Sequence, residues 1–312
     1  MTFEPASMPA TIEVFDPRFV PVVAHDPPLE RLCSGARWSE GPVWLHEDDS
    51  VLWSDIPNDR MLRWSARDGM SVWRERVEFT NGHTRDLDGA ILHCSHGLRA
   101  VFRTRPDGSE QRIVVDRWMG KRFNAPNDIV VKSDGSIWFT DPPFGLGGYY
   151  EGSPAKQELG QNIYRFDPES GRGEIVADDV LGPNGLCFSP DETKLYVVES
   201  RATPTRKLKV FDVAKNGTAL SNGRLFIDCG PGAADGMRCD TDGNLWCGWG
   251  MGKPELDGVM VFAPDGTPIG RIALPERCAN ICFGGKHRNR LFMAASQSLY
   301  AVYVHAQGVP GS

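Results

Sequence analysis

The chain has 312 residues, of which 40% are hydrophobic and 24% are charged, and its formal net charge is −7 at pH 7. The acidic balance argues against a nucleic-acid partner, which needs a basic surface, and no apolar run reaches the roughly 18 residues that would cross a membrane. The first residues, MTFEPASMPATIEVFD, lack the basic start and apolar stretch of a secretory signal, so we expect a cytoplasmic protein.

The chain begins with an irregular segment that contains several prolines. We expect residues 1–34 to form an N-terminal arm that packs on the surface or closes the fold, and residues 35–312 to form a single domain. Across the whole chain, 34 glycines and 23 prolines are scattered rather than clustered. This distribution favours many short strands joined by tight turns over a disordered tail.

From Ser39 onward, one unit recurs six times: a strand, an Asp/Gly-rich turn, a second strand and a third alternating strand. The third copy, APNDIVVKSDGSIWFTDPPFG from Ala125, shows it most clearly, because alternating apolar residues flank the turn at Ser133-Asp134-Gly135. The other five copies open with SEGPVW at Ser39, TNGHTR at Thr80, GPNGLCF at Gly182, AADGMRC at Ala233 and CANICF at Cys278.

The spacing of the copies predicts the fold. Equivalent residues of the second strand lie 39, 46, 58, 50 and 46 positions apart, at Leu52, Ile91, Ile137, Leu195, Leu245 and Leu291. A repeat of this length with three or four strands indicates an all-β, six-bladed β-propeller. A solenoid is the alternative, but its repeats are usually shorter and its ends need caps that the sequence does not show.

The first strand of every copy opens on a carboxylate or a carboxamide. These residues are Glu40, Asn81, Asn127, Asn184, Asp235 and Asn280. In a propeller the first strand of each blade lines the central channel, so the six side chains should converge on one axis. Oxygen ligands without sulfur or imidazole suit a hard cation such as Ca²⁺ or Mg²⁺. Asn, Asp and Gly also form ordinary turns, but six in register favour a metal site.

Eight cysteines are present, and none forms a C-x-x-C pair. Several, such as Cys187 and Cys239, sit inside alternating apolar runs. We therefore expect reduced thiols buried in the core of a cytosolic protein, with a zinc cluster or a disulfide framework as the weaker alternative.

Several long motifs resemble the gluconolactonase branch of the senescence-marker-protein/regucalcin family. They are EGPVW at Glu40, APNDIVVKSDGSIWFTDPPFG at Ala125, PNGLCFSPD at Pro183 and ADGMRCD at Ala234, with TRD and CSHG in the second copy. The resemblance covers roughly residues 35 to 300. It implies a six-bladed propeller that holds one divalent cation and hydrolyses lactones. Calcium is the first choice, with Mg²⁺, Mn²⁺, Zn²⁺ and Fe²⁺ as alternatives.

The resemblance also implies roles for particular residues. Glu40, Asn184 and Asp235 fall on the family's metal ligands, and Asn127 falls on the asparagine that contacts metal or substrate. Asp235 also falls on the proposed general base, which would activate water while the cation polarises the lactone carbonyl. Asn81 and His96 are candidates for binding substrate hydroxyls. His83 could bind hydroxyls or assist proton transfer too, but a lone histidine is more often a hydrogen-bonded structural residue.

Diisopropyl-fluorophosphatase is similar at the same four positions, so a phosphotriesterase or esterase is an alternative function. Two departures from that enzyme, Arg238 and Cys282, should weaken a second cation site in the channel. Ala125 replaces an arginine of the regucalcin branch, so contacts with the sugar should differ. A non-enzymatic calcium-binding propeller is the third alternative.

An insertion in the third copy completes the expected site. Residues 144–159, FGLGGYYEGSPAKQEL, contain glycines and two tyrosines that suit a loop over the channel mouth. The expected partner is a small polyhydroxylated lactone, bound by a monomer or a homodimer.

Overall fold

The computed structural model describes residues 6–311, and the regular secondary structure of this region is almost entirely β-strand. Six antiparallel sheets form the blades, and in each sheet the strands follow one another from the channel outward. Three short 3-10 helices, at Pro17–Val22, Ile56–Asn58 and Phe144–Leu146, are the helical segments of this region. No helix within residues 6–311 has the length and apolar character needed to span a bilayer. The prediction of an all-β, six-bladed β-propeller is confirmed.

The strands are numbered in chain order. Before the first blade lie β1 Ala6–Pro9, β2 Thr11–Val14 and β3 Pro28–Ser34; blade one contains β4 Ser39–Leu45, β5 Ser50–Asp55, β6 Arg60–Ser65 and β7 Gly69–Glu75, and blade two contains β8 Thr80–Arg85, β9 Ile91–Ser95, β10 Ala100–Thr104 and β11 Arg112–Val115. A separate hairpin of β12 Arg117–Trp118 and β13 Lys121–Arg122 precedes blade three, which contains β14 Ile129–Val131, β15 Ile137–Asp141, β16 Asn162–Asp167 and β17 Arg172–Ala177. Blade four contains β18 Pro183–Phe188, β19 Lys194–Glu199, β20 Lys207–Val213 and β21 Leu220–Asp228; blade five contains β22 Ala234–Cys239, β23 Leu245–Trp249, β24 Gly258–Phe262 and β25 Pro268–Ala273; and blade six contains β26 Cys278–Gly284, β27 Arg290–Ala295 and β28 Ser298–Tyr303.

Turn chemistry explains why the alternating runs pair with their sequence neighbours. Between β14 and β15, Gly135 has φ +82°, a conformation that glycine adopts without steric cost. The Asp134 carboxylate accepts hydrogen bonds from the backbone N–H and the hydroxyl of Ser136 at 2.9 and 2.6 Å. The turn thereby brings Val131 opposite Ile137 in the sheet.

Residues 6–34, within the segment expected to be an N-terminal arm, contribute strands to two blades. β3 pairs with β28, with Cys33 opposite Leu299, and so supplies the fourth strand of blade six. β1 extends the same sheet outward, and β2 pairs with β25 at the edge of blade five. Strands from the two ends of the chain therefore meet in one sheet, which closes the ring of blades.

Apolar side chains between neighbouring blades form the core. Trp138 of blade three contacts Phe188 of blade four with ring centroids 5.3 Å apart, and Trp246 of blade five contacts Phe283 of blade six at 5.6 Å. All eight cysteines are buried and free. This packing fixes the angle between blades and therefore the positions of the inner strands.

The C-terminal residues cover one end of the channel. Gly308 forms a β-bridge with Asp240, and the Val309 N–H donates to the carbonyl oxygen of Cys239 at 3.3 Å. Both contacts lie at the ends of the inner strands. The beginnings of these strands lie at the opposite end, where the polar residues of the repeat are found.

A buried chain of hydrogen bonds supports Asn81 at that opposite end. The Ser54 hydroxyl donates to the Asn81 carbonyl at 2.8 Å and contacts His83 Nε2 at 2.8 Å. His83 Nδ1 lies 2.8 Å from His93 Nδ1, and His93 Nε2 lies 2.9 Å from the Thr104 hydroxyl. Both histidines are fully buried. His83, which we expected from the sequence to be mainly structural, thus links blade two to blade one.

The available donors and acceptors fix the direction of each hydrogen bond in this network. A carbonyl only accepts, so the single Ser54 proton goes to Asn81 and His83 Nε2 must carry a proton that it donates to Ser54. His83 Nδ1 then accepts from His93 Nδ1–H, and His93 Nε2 accepts from Thr104. Both imidazoles are neutral, in agreement with burial, which lowers the pKa of His83 to about 3 and that of His93 well below 6.5.

Replacing His93 should destabilise the fold. His93→Phe leaves His83 Nδ1 and the Thr104 hydroxyl buried without partners, so we expect the free energy of unfolding at pH 7 to fall by about 2–4 kcal/mol. Urea denaturation measures the change, and His25→Phe, at an exposed site, serves as the control.

The His93→Phe variant also tests whether the buried histidine pair is neutral. Burial lowers the pKa of His93 below 6.5 in the folded protein. As the pH falls, His93 therefore becomes protonated in the unfolded chain before it becomes protonated in the folded protein. The contribution of His93 to stability is therefore present above the unfolded pKa and decreases as the pH falls below it. The stability difference between wild type and His93→Phe should narrow between pH 7.5 and about pH 5. A constant difference would contradict a neutral buried pair.

Candidate active site

A cavity of about 390 Å³ lies where the inner strands begin. Five of the six axial residues predicted from the sequence line it: Glu40, Asn81, Asn127, Asn184 and Asp235. The sixth, Asn280, is buried beside them and donates from Nδ2 to Glu40 Oε2 at 3.1 Å. Residues from five different blades thus meet at one polar cavity.

Bulges in the inner strands aim these side chains. The register of the innermost strand pair shifts at the cavity end of five blades, between Glu40 and Val43 in the first and between Ala234 and Met237 in the fifth. Such a bulge turns a side chain away from the regular alternation. In blade three Asn127 precedes the strand, and its N–H donates to the Thr140 carbonyl at 2.9 Å.

Glycines allow the inner strands to approach one another closely. A Cβ atom at Gly185 would overlap the carbonyl oxygen of Asp235, and one at Gly236 would overlap the Asn280 side chain. Any other residue at these positions would push the strands apart. The glycines that follow Asn184 and Asp235 in the repeat are therefore needed for the convergence of the site.

Asp235 is held from two sides. Its Oδ1 accepts from Asn184 Nδ2 at 2.7 Å, and its Oδ2 accepts from Arg277 Nη2 at 2.9 Å. Burial raises the pKa of this carboxyl to about 6, and the Arg277 charge and the Asn184 hydrogen bond limit the increase. The carboxylate is oriented, and its proton affinity is close to that needed for proton transfer near neutral pH.

Glu40 is the second carboxylate of the cavity floor. Its Oε2 accepts from the Gly41 N–H at 2.9 Å, whereas its Oε1 accepts no hydrogen bond from residues 6–311. Burial, followed by the charges of Asp235 and Asp128, raises the pKa of Glu40 well above its ordinary value. A positive charge at the floor would relieve this repulsion.

Arg238 supplies a buried positive charge deeper in the channel. Its Nη1 lies 4.0 Å from Asp128 Oδ2 and donates to the Met237 carbonyl at 2.7 Å. Arg238 and Asp128 are both about 2% exposed. The guanidinium faces the carboxylate at this depth, and the effect of Arg238 on a second cation in the channel remains a prediction.

His96 does not line the cavity, contrary to the direct substrate contact expected from the sequence. It is about 1% exposed, and its Nε2 lies 3.3 Å from Asn81 Nδ2. Its Nδ1 lies 2.7 Å from the Glu151 carbonyl. His96 therefore sits behind Asn81 and joins it to the loop, because it directly follows β9, which is the neighbour of the inner strand β8 in the sheet.

The insertion at residues 144–159 forms part of the cavity wall. Phe144, Tyr150 and Glu151 line the cavity, while Tyr149 is exposed. Burial raises the pKa of Glu151 to about 7, the Asp235 charge adds to the increase, and Arg201 opposes it. The expected loop over the mouth is present, and it brings a third carboxyl that sequence reasoning missed.

Sequence reasoning also missed Trp38 and Arg277, which line the cavity from positions just before the inner strands of blades one and six. The Arg277 guanidinium lies over the Trp38 ring, 5.2 Å from its centroid. The signal that could have found them is position, since the residues that directly precede the inner strands of blades one, five and six, Trp38, Ala233 and Arg277, all line the cavity.

The donor set fits a hard cation. No group of three or more His, Cys, Asp or Glu side chains within residues 6–311 has the arrangement of a metal site, so the amides must complete any coordination. The Asn127 carboxamide has no hydrogen-bond partner among the described residues. Together with Glu40 Oε1, it leaves oxygen donors available at the floor, which is the ligand type that Ca²⁺ and Mg²⁺ prefer.

Comparison with known proteins agrees with this architecture. The chain is 35% identical to a gluconolactonase of Zymomonas mobilis over 93% of its own length and 85% of the relative. The structure superposes on a gluconolactonase from Xanthomonas campestris with a TM-score of 0.87 and 35% identity, covering 96% and 97% of the two chains.

A calcium-binding regucalcin from Agrobacterium tumefaciens shares the fold, with a TM-score of 0.70 and 19% identity over 90% of this chain and 94% of that one. Residues 38–297 match the SMP-30/gluconolactonase/LRE-like region. The chain belongs to the SMP-30/gluconolactonase/LRE-like family.

Proposed function

We propose that this protein is a metal-dependent lactonase that hydrolyses gluconolactone-like aldonolactones to aldonic acids. The observation that carries the proposal is the meeting of Glu40, Asp235 and three asparagine carboxamides in one cavity. The relatives from Zymomonas mobilis and Xanthomonas campestris are named gluconolactonases and match nearly the whole chain, which supports lactone opening as the reaction.

We assign one divalent cation, with Ca²⁺ as the first choice, to Glu40, Asn127, Asn184 and Asp235. The four side chains supply carboxylate and amide oxygens, and the two carboxylates balance a double positive charge. The calcium-binding regucalcin of the same fold supports this choice. When bound, the cation would polarise the lactone carbonyl and stabilise the oxyanion that forms there.

Asp235 is the proposed general base. Arg277 and Asn184 hold its two oxygens, so the carboxylate has a fixed direction toward the cavity. It takes a proton from water as the water oxygen bonds to the carbonyl carbon. The bond between that carbon and the ring oxygen then breaks, and the proton is returned to the ring oxygen, which leaves as a hydroxyl group. The product is the open aldonic acid.

Asn81 and Asn127 are the proposed contacts for substrate hydroxyls. The Ser54 hydrogen bond fixes the Asn81 backbone, and His96 contacts its carboxamide, so that side chain is held before substrate arrives. Tyr150 offers an aromatic face in the same cavity. These groups suit a polyhydroxylated ring better than an apolar ester.

The buried free cysteines indicate the kind of cellular compartment in which the protein works. Eight thiols without a disulfide are typical of a reducing environment. We therefore propose a cytoplasmic enzyme acting on a small dissolved substrate.

The base assignment predicts that Asp235→Asn lowers kcat by about 100- to 10,000-fold at saturating Ca²⁺, since an amide keeps a ligand oxygen but accepts no proton. Lactone opening in a weakly buffered pH-indicator assay measures the loss, and circular dichroism checks the fold. Asp242→Asn, at an exposed turn of the same blade, is the control. A near-wild-type kcat for Asp235→Asn would refute the assignment.

The metal assignment predicts that a chelator abolishes turnover and that added Ca²⁺ restores it. Glu40→Gln removes one negative charge from the site, so its Kd for Ca²⁺ should rise by about 10-fold or more. Isothermal titration calorimetry measures that affinity without relying on activity, and Glu174→Gln, at an exposed position, is the control. Repeating the titration with Mg²⁺, Mn²⁺ and Zn²⁺ ranks the ions. Equal Ca²⁺ binding by both variants would remove Glu40 from the site.

The substrate assignment predicts strong discrimination by hydroxyl groups. The kcat/KM for glucono-δ-lactone should exceed that for unsubstituted δ-valerolactone by at least about 100-fold, because polar groups built to bind hydroxyls would otherwise lack partners. Paraoxon and phenyl acetate test the alternative reactions. Faster hydrolysis of either would favour a phosphotriesterase or esterase, and Ca²⁺ binding without any turnover would favour a non-enzymatic propeller.

A further inference from the structure

We infer that the mouth of the cavity contains an anion-binding subsite formed by Arg201 and Arg206. Its ligand is an oxyanion group, such as a phosphate, sulfonate or carboxylate, carried on the part of the lactone farthest from the carbonyl. The inference rests on the proposed lactonase function, because it assigns the substrate of the same cavity a charge that glucono-δ-lactone lacks.

The two arginines lie at the opening of the cavity. Both line it, from the segment that joins β19 to β20. Glu40 and Asp235 are each only 5% exposed, whereas Arg201 is exposed and Arg206 is half-buried. This gradient places the carboxylates at the floor and the two guanidinium groups near solvent.

Neither arginine is neutralised by an ion pair. Arg277, in the same cavity, binds Asp235 at 2.9 Å, but no carboxylate oxygen of residues 6–311 lies within 4.0 Å of a side-chain nitrogen of Arg201 or Arg206. A guanidinium stays protonated and offers donors in a fork that matches two oxygens of a phosphate or carboxylate. Both charges therefore remain available to a ligand.

Packing holds Arg201 in place before a ligand arrives. Its guanidinium carbon lies 5.1 Å from the centroid of the Phe144 ring. Its Cβ and Cγ atoms pass so close to Gly182 that a Cβ atom there would meet them. A side chain already fixed by such contacts loses less conformational entropy when it binds an anion.

Glu151 is the carboxylate that opposes the subsite. It lines the same cavity, and Arg201 stabilises its charged form. The two arginines outnumber this single carboxylate, so the mouth retains positive charge. The surplus matters because the whole chain carries a net charge of −7 and would otherwise repel an anionic substrate.

The chemistry at the floor sets the orientation of the substrate. The carbonyl carbon must lie beside Asp235 for the attacking water to lose its proton there. With the carbonyl at the floor, we infer that the exocyclic group of a six-membered lactone extends toward the mouth, where Arg201 and Arg206 line the cavity. An oxyanion at that end would meet both guanidinium groups, whereas a neutral hydroxymethyl group would leave them solvated.

The test compares glucono-δ-lactone with its 6-phosphate, using the Ca²⁺-loaded protein and subtracting spontaneous hydrolysis. We expect the wild type to prefer the phosphate by about 10-fold or more in kcat/KM at low salt. The Arg201→Gln/Arg206→Gln double variant should lose about 10- to 100-fold on the phosphate and less than about 2-fold on the neutral lactone. Arg172→Gln, at an exposed site on blade three, should change neither rate.

Binding of the products gives an answer that does not depend on turnover. By calorimetry, 6-phosphogluconate should bind the wild type more tightly than gluconate does, and the double variant should bind the two equally. Equal rates for both lactones in the wild type, or equal losses for both in the double variant, would overturn the subsite. If neither lactone were opened, the proposed function would fail, and arginine-dependent binding of 6-phosphogluconate would still decide the subsite.

Discussion

The repulsion between two buried carboxylates, Glu40 and Asp235, is the constraint on which the site depends. Both lie at the floor of one cavity, where burial disfavours their ionised forms and the Asp235 charge further raises the pKa of Glu40. Arg277 offsets part of this cost at Asp235, while the donors to Glu40 within residues 6–311 are both neutral, the Asn280 amide and the Gly41 N–H. A cation at the floor would offset the remainder and place both carboxylates in their charged forms.

The fold brings these groups together at one end of the channel. Each blade contributes the start of one inner strand, and strands from both ends of the chain close the ring through β3 and β28. Gly185 and Gly236 let neighbouring strands approach, and the bulge at the start of most inner strands points a polar side chain at the axis. The hydrogen-bond chain through His83 and His93 then fixes the Asn81 backbone from behind. Rigid placement of this kind favours precise positioning of a small substrate.

The features that could be predicted from the sequence are those that its repeating pattern of apolar and polar residues determines. Alternating runs around turns rich in Asp or Gly repeat six times, so the propeller and the five polar residues that line the cavity could be predicted from the register of the repeat alone. Residues outside the repeat could not be placed in this way. Glu151, Arg201 and Arg277 reach the cavity from connecting segments, and β2 and β3 pair with strands nearly the whole chain length away. His96 was expected to touch substrate, yet it lies behind Asn81, because no local pattern shows on which side of a neighbouring strand a turn residue packs.

A crystal structure of the protein grown with Ca²⁺, with Sr²⁺ exchanged for it to give anomalous signal, tests the central claim most directly. The account predicts one strong anomalous peak at the cavity floor, with oxygen atoms of Glu40, Asn127, Asn184 and Asp235 at about 2.3 to 2.6 Å from the Ca²⁺ ion. A floor without a peak at saturating metal, or a peak bound by other residues, would contradict it.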